Sequence, residues 1–99
     1  MIPRKISIKG NDWTVKKEKD VRDDDGNECL GLCVYGERKI LLEKGMNKSE
    51  ELEVFFHEFL HSLIHEVHLD IGPKAEEMFV EAATQEIFKN FNIKIKKGP

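Results

Sequence analysis

Apolar and polar residues alternate in short runs through the first 42 positions of the chain. A two-residue period of this kind places apolar side chains on one face of a β-strand. Clusters of Gly, Asn and Asp, clearest at residues 23–27, separate the runs and are typical of turns. The strand-like runs lie at residues 5–9, 13–15, 30–35 and 39–42. We expect them to form a small antiparallel sheet of three to four strands, arranged as two hairpins or as a meander.

The second half of the chain changes to a helical period. Ser49 is a favourable N-cap, and Glu50, Glu51 and Glu53 place negative charge at the positive end of a helix dipole. The pattern predicts a helix over residues 49–68. Its core-facing stripe is predicted to consist of apolar residues that recur every three or four positions, namely Leu52, Phe56, Phe59, Leu63 and Val67.

A stop signal and a second helix follow. Residues 70–73 read Asp-Ile-Gly-Pro and end the first helix, and Pro73 suits the first turn of a new one. The second helix is predicted over residues 74–90, antiparallel to the first because the connecting turn is short. Its buried face is predicted to consist of Phe79, Val80, Ala83 and Ile87. Residues 93–97 alternate again, which predicts either a short edge strand or a frayed end.

The order of these elements indicates the fold class. Strands come first and helices second, which is typical of an α+β fold. Ninety-nine residues suit one domain, so residues 1–99 are expected to form a single unit. We therefore predict a small antiparallel sheet followed by two long antiparallel helices.

Composition and charge narrow the class of protein. Hydrophobic residues make up 39% of the chain and charged residues 35%, as in a globular protein. No apolar run approaches the roughly 20 residues of a membrane-spanning helix, and residues 1–5 lack the apolar stretch of a secretory signal. Cys29 and Cys33 are too few for a disulfide framework, and we expect two reduced thiols on small strand residues of a cytoplasmic protein. The net charge of −3 disfavours a nucleic-acid partner, so the Lys and Arg side chains near both ends are expected to aid solubility.

The first predicted helix contains the candidate chemistry. Residues 57–61 read His-Glu-Phe-Leu-His, an H-E-x-x-H pattern. Residues four apart lie on one face of a helix, so His57 and His61 can both reach one metal ion. Glu58 is rotated by about 100° from His57 and therefore stands beside the ion. From there its carboxylate can accept a proton from a metal-activated water that attacks a carbonyl.

A catalytic zinc ion takes a third protein ligand, and the second helix offers three glutamates. Glu77 and Glu81 share one flank, and Glu77 on the metal with Glu81 behind His57 would supply a ligand and an orienting carboxylate. Glu81 also has a height along the helix that suits direct ligation, and Glu76 lies near the apolar stripe. His65 could pair with His61 around a metal. His65 and His68 are both too far along the helix to share an ion with His57, and the simplest interpretation places them on a polar helix surface.

At this point the chain resembles a known family. His57-Glu58-x-x-His61 followed by Glu77-x-x-Val80-Glu81 is similar to the gluzincin-type zincin metallopeptidases, in which the second helix carries a glutamate ligand and an acidic residue four positions later. The small size and the order of elements most resemble the ImmA/IrrE-type and phage-encoded minimal metallopeptidases. The segment 31–40 is similar to the paired strands of that group. The resemblance covers roughly residues 30–90.

The resemblance implies a zincin-like fold, with Zn²⁺ on His57, His61 and Glu77 and with Glu58 as general base. It also implies that the strand at 40–42 is the sheet edge along which an extended peptide lies, and it suggests a phage or prophage setting. The chain lacks the aliphatic-Pro segment that larger members carry after the glutamate helix. The candidates for the residue that stabilises the oxyanion are Tyr35, His65 and His68.

Two main hypotheses follow. The first is a zinc-dependent metallopeptidase that hydrolyses peptide bonds of a protein substrate, since a purely structural zinc site has no use for Glu58. The alternative is a non-catalytic, zinc-binding, zincin-like module with a regulatory or interaction role. The small size favours this alternative, and it also suggests that a partner protein completes the cleft. Hydrolysis of a non-peptide amide is a further option.

Overall fold

The computed structural model describes residues 2–96, which form a four-stranded sheet and two helices. The α+β class is therefore confirmed. The elements are β1 (Lys5–Ile8), β2 (Asn11–Glu18), β3 (Gly31–Val34), β4 (Lys39–Glu43), α1 (Lys48–Glu66) and α2 (Pro73–Asn90). Residues 91–96 have no regular secondary structure, so the prediction of an edge strand at 93–97 is wrong for residues 93–96. Residue 97 lies outside the described part of the chain. Neither helix is long and apolar enough to cross a membrane within residues 2–96.

The sheet has the order β1-β2-β4-β3 and is mixed. The β1–β2 and β3–β4 pairs are antiparallel hairpins, as predicted, but β2 and β4 are parallel, with Val15 opposite Ile40. The prediction of an all-antiparallel sheet is therefore wrong, and so is the meander. A two-residue alternation determines which face a side chain occupies, but it leaves the neighbour and the direction of a strand open. The 12-residue connection 19–30 is long enough to let β4 insert beside β2.

One face of the sheet packs on α1 and forms the core. The buried cluster consists of Ile8, Trp13, Val15, Ile40, Leu42 and Phe55. Phe55 is buried although it lies outside the predicted stripe, whereas Phe56 contacts Phe88 of α2 with ring centroids 5.4 Å apart. Val67, predicted to be buried, is 44% exposed. The single-stripe prediction was wrong because α1 lies between the sheet and α2 and therefore buries two sides.

The ends of the helices follow local capping rules. Asn47, and not Ser49, is the N-cap of α1, and its side chain accepts a hydrogen bond of 2.8 Å from the backbone N–H of Glu50. Pro73 occupies the first turn of α2, close to the predicted start. Val80 is fully buried as predicted, but Phe79 is 58% exposed. Adjacent helical residues point about 100° apart, so only one of this pair can face α1.

Candidate functional site

The H-E-x-x-H segment lies in the middle of α1, and the turn after α1 brings the second turn of α2 alongside it. Glu77 reaches both imidazoles. His57 Nε2 lies 3.1 Å from Glu77 Oε1, and His61 Nε2 lies 3.0 Å from Glu77 Oε2. One ligand atom from each of these three residues falls within a group of atoms no more than 4.8 Å apart. The structure thus brings together His57, His61 and Glu77.

This donor set fits a zinc ion. Two imidazoles and one carboxylate are ligands that zinc takes in hydrolases, at distances of about 2.0–2.2 Å. Ligand atoms around a tetrahedral ion at that distance lie about 3.3 Å apart. The observed separations of 3.0 and 3.1 Å between carboxylate and imidazole atoms are close to this value. The three donor atoms lie within 4.8 Å of one another, so the cluster offers the donor types that a zinc ion takes at about the required spacing.

Glu76 lies behind His61. Its Oε2 is 2.5 Å from His61 Nδ1, the ring nitrogen that faces away from Glu77. A carboxylate at this nitrogen orients the ring and makes the other nitrogen a better metal ligand. The sequence predicted Glu81 as the carboxylate that orients His57. In the structure the orienting carboxylate is Glu76, and the histidine that it contacts is His61. The signal for Glu76 was its position four residues before the buried Val80, because residues four apart share one helix face.

Glu81 remains apart from the histidines. Within residues 2–96 it makes no ion pair, and the one group of three or more suitable ligands does not include it. Of the two candidate third ligands, the structure therefore places Glu77 at the imidazoles.

Glu58 lies between the histidine pair and the edge of the sheet. Burial raises the pKa of its carboxyl group, and the neighbouring His57 and His61 offset part of that rise. Gly31 of β3 provides the space. A Cβ atom at Gly31 would lie only 2.9 Å from Glu58 Cγ and 2.7 Å from Val54 Cγ1. This role of Gly31 could not be predicted from sequence, because a glycine in a strand-like run gives no indication of what packs against it.

Cys33, which lies in β3 like Gly31, also contacts Glu58. Its Sγ lies 3.4 Å from Glu58 Oε1 and 3.4 Å from Ser62 Oγ, and it donates to the Glu58 backbone carbonyl oxygen at 3.2 Å. Burial, together with the charge of Glu58, raises the pKa of the Cys33 thiol. The thiol is therefore protonated at neutral pH and acts as a weak donor to Glu58. Both cysteines are free, as predicted, but Cys29 lies in the β2–β3 connection and not in a strand.

The predicted oxyanion candidates line one cleft. This cleft has a volume of about 880 Å³ and contains the histidine–glutamate cluster together with Tyr35, His65 and His68. Tyr35 stacks on His65 with ring centroids 4.6 Å apart, and both rings meet Trp13 edge-on. Burial raises the pKa of the Tyr35 phenol, so its hydroxyl stays protonated and can donate a hydrogen bond.

The strand beside the cleft is β3. The sequence placed the sheet edge at residues 40–42, but β4 is an inner strand between β2 and β3, so that prediction is wrong. The Leu30 carbonyl oxygen accepts a 2.9 Å hydrogen bond from the Glu43 N–H, so Leu30 and Glu43 form a hydrogen-bonded pair of the antiparallel ladder. Because antiparallel pairing alternates, the backbone N–H and C=O groups of Gly31 and Cys33 face away from β4. These groups lie along the edge that borders the cleft.

Comparison of this chain with family models, with curated proteins and with solved structures found no match. Function is therefore inferred from the side chains and the backbone edge described above. Together they offer a ligand set for one metal ion, a buried carboxyl group beside it, and an open strand edge.

Proposed function

We propose that this chain is a small zincin-like, zinc-dependent peptidase in which His57, His61 and Glu77 hold the ion and Glu58 is the general base. The observation that carries this proposal is the position of Glu77. A carboxylate from a separate helix lies within 3.1 Å of the Nε2 atoms of both histidines in the H-E-x-x-H motif. Structural zinc sites use four protein ligands, whereas catalytic sites use three and keep one position open. The three-residue cluster supports the catalytic type.

When bound, zinc supplies a Lewis acid and makes water a nucleophile near neutral pH. The residues of the chain supply the rest. Glu58 accepts the proton of the attacking water at a carboxylate oxygen and later delivers it to the leaving amine. Its burial and its raised pKa support this role, since a more basic carboxylate accepts a proton more readily. Glu76 holds the His61 ring through Nδ1.

The open edge of β3 supports a peptide as the substrate. Backbone groups of Gly31 and Cys33 are oriented to pair with an added extended strand. Such a strand would lie between β3 and the histidine face of α1, because Gly31 and the histidines line the same cleft. The peptide carbonyl groups would then pass in front of Glu58.

The experiment that tests this proposal is elemental analysis of chelator-free protein. We expect about one zinc ion per chain in the wild type, and loss of zinc in His57→Ala and in Glu77→Ala. Glu81→Ala is the matched control on the same helix and should keep its zinc. Glu58→Gln should also keep zinc but should not cleave a peptide library that the wild type cleaves. A wild type that takes up no zinc, or a Glu58→Gln variant with unchanged cleavage, would contradict the proposal.

A second candidate function is a zinc-binding module that does not cut. The side chain of Glu77 is 51% exposed, so this wall of the cleft is open within the described residues. An open wall favours a partner protein that covers it. This alternative predicts full zinc occupancy and a stable complex with the partner. The partner should stay uncleaved both with the wild type and with Glu58→Gln.

A further inference from the structure

A second groove adjoins the candidate metal centre. We call it the α1–α2 groove. It has a volume of about 480 Å³ and is lined, beyond the cluster itself, by Leu30, Glu50, Glu53, Glu81, Thr84 and Gln85. His57, Glu58, Glu77 and Gly31 line both this groove and the main cleft. The two grooves therefore meet at the histidine–glutamate cluster, and a ligand held at the cluster has access to both.

The groove carries charge of one sign. Glu50, Glu53 and Glu81 line it, and no Lys or Arg from the described part of the chain does. None of these three glutamates forms an ion pair within residues 2–96. Glu51, on the sheet side of the same turn of α1, differs because it pairs with Lys17 at 3.0 Å. Unpaired carboxylates in a concave site concentrate a negative potential that attracts cations.

A buried hydroxyl in the same groove also lacks a partner. Thr84 is only 4% exposed, and its Oγ1 has no hydrogen-bond partner among the described residues. Thr84 follows Glu76 and Val80 at four-residue intervals on the inward face of α2. Buried polar groups are normally paired, so an unpaired one that lines a groove indicates a ligand with a donor.

The geometry indicates an organic cation and not a second metal ion. The one group in residues 2–96 whose ligand atoms converge for a metal is His57, His61 and Glu77. The groove carboxylates do not gather around one point. An ammonium or guanidinium group can instead face several separated acceptors, including a hydroxyl oxygen and the Gln85 amide oxygen.

We propose that the α1–α2 groove is a specificity pocket for a lysine or arginine side chain of the bound peptide. This inference rests on the proposed function, because the edge of β3 at Gly31 places the peptide. The peptide backbone passes the cluster, and the basic side chain next to the cleaved bond enters the groove. Its cationic end lies near Glu53 and Glu81, and rotation of the Thr84 side chain about its Cα–Cβ bond gives that end access to the buried hydroxyl.

The test is a binding titration in the zinc-loaded Glu58→Gln protein, which does not cut the probe. Two blocked hexapeptides of alanine and glycine are compared, one with a central lysine and one with norleucine, which has a similar length but no charge. Binding is followed by the backbone amide signals of ¹⁵N-labelled protein. We expect the lysine peptide to bind about tenfold more tightly and to shift the Thr84 and Gln85 signals.

Single substitutions test which residues of the α1–α2 groove cause the preference for lysine. Glu53→Gln, Glu81→Gln and Thr84→Val should each reduce the preference for the lysine peptide over the norleucine peptide about threefold. Glu86→Gln is the matched control, because Glu86 is an exposed glutamate of α2 that does not line the groove. Equal binding of the two peptides, or an equal loss in Glu86→Gln, would overturn the proposal.

The outcomes also separate this inference from the proposed function. Zinc binding and cleavage without a preference for lysine would overturn the specificity pocket and leave the peptidase proposal standing. A preference for lysine in a chain that binds no zinc would support the pocket and overturn the peptidase proposal.

Discussion

The carboxylate of Glu76 lies against Nδ1 of His61, on the opposite side of the imidazole from Glu77. The two glutamates are adjacent in α2, yet they contact opposite edges of the same ring. Glu77 contacts the outer nitrogen, Nε2, and Glu76 orients the ring through the inner nitrogen, Nδ1. The position of one helical turn of α2 therefore controls both sides of His61.

Glu76 should tune the affinity for zinc without being a ligand. We expect Glu76→Ala to weaken zinc binding about 10- to 100-fold, because the His61 ring loses its orienting acceptor. Glu76→Gln should weaken it less, since the amide oxygen still accepts a hydrogen bond. Competition with a chromophoric chelator measures both affinities. An unchanged affinity in Glu76→Ala would show that His61 is oriented by packing alone.

Gly31 should be intolerant of even one added carbon atom. In Gly31→Ala the new Cβ would press on Glu58 Cγ and Val54 Cγ1. We expect a loss of about 1–3 kcal/mol in the free energy of unfolding and a lower kcat, because the carboxyl group of Glu58 must move. Urea denaturation and peptide cleavage measure the two effects.

Gly36→Ala is the control for that variant. A Cβ at Gly36 meets no atom within 4 Å, and its φ does not lie in the positive range that disfavours side chains. Its stability and activity should match those of the wild type. If both alanine variants behaved alike, close packing between β3 and α1 would not be the cause.

The stability contributed by the contact between the C-terminal end of α1 and the sheet should depend on pH. Glu66 accepts hydrogen bonds from Arg38 Nε at 2.9 Å and from the Asn11 side chain, and the Arg38 guanidinium holds the pKa of Glu66 below its ordinary value of 4.5. A lowered pKa in the folded state contributes stability above about pH 4.5, and this contribution is lost as the pH falls through the folded-state pKa.

Metal-free wild type should therefore lose stability below about pH 4.5 more steeply than metal-free Glu66→Gln. Thermal unfolding between pH 3 and pH 6 (about the range in which carboxyl groups titrate) compares the two proteins. Parallel curves would mean that the Arg38–Glu66 contact adds nothing to the free energy of unfolding.

Tyr35 is the oxyanion candidate that a conservative substitution tests best. Tyr35→Phe keeps the ring that stacks on His65 and removes only the hydroxyl group. If that hydroxyl stabilises the oxyanion, kcat should fall about 10²-fold with little change in KM. Steady-state kinetics on one peptide measure both constants, with circular dichroism as the check on folding. A normal kcat would transfer the role to His65 or His68.

The helices and the proximity of His57, His61 and Glu77 could be predicted from sequence because their signals are local. The H-E-x-x-H spacing brings His57 and His61 to one helix face, and Pro73 marks where α2 begins. A short turn then limits which glutamates can reach the histidines. Glu77 followed from these facts together with the family resemblance, whereas the pairing of Glu76 with His61 depends on the exact rotation of α2.

The arrangement of the sheet could not be predicted in the same way. Ile40 and Leu42 alternate as in any half-buried strand, and nothing in that alternation shows that β4 has a neighbour on each side. Asn47 and Ser49 are both good N-caps two residues apart, so the choice depended on how the chain leaves β4. Phe55 and Phe56 are equally apolar, and only the layers around α1 decide which of them meets the sheet.

The central position of β4 affects the order in which the protein can fold during synthesis. β4 is the last strand to emerge from the ribosome, yet it lies between β2 and β3. Until residue 43 has emerged, the β1–β2 hairpin has no partner, and an isolated two-stranded hairpin is only marginally stable in water. The sheet therefore assembles only once β4 is available, and a nascent chain that ends before Lys39 should remain unfolded and open to proteases.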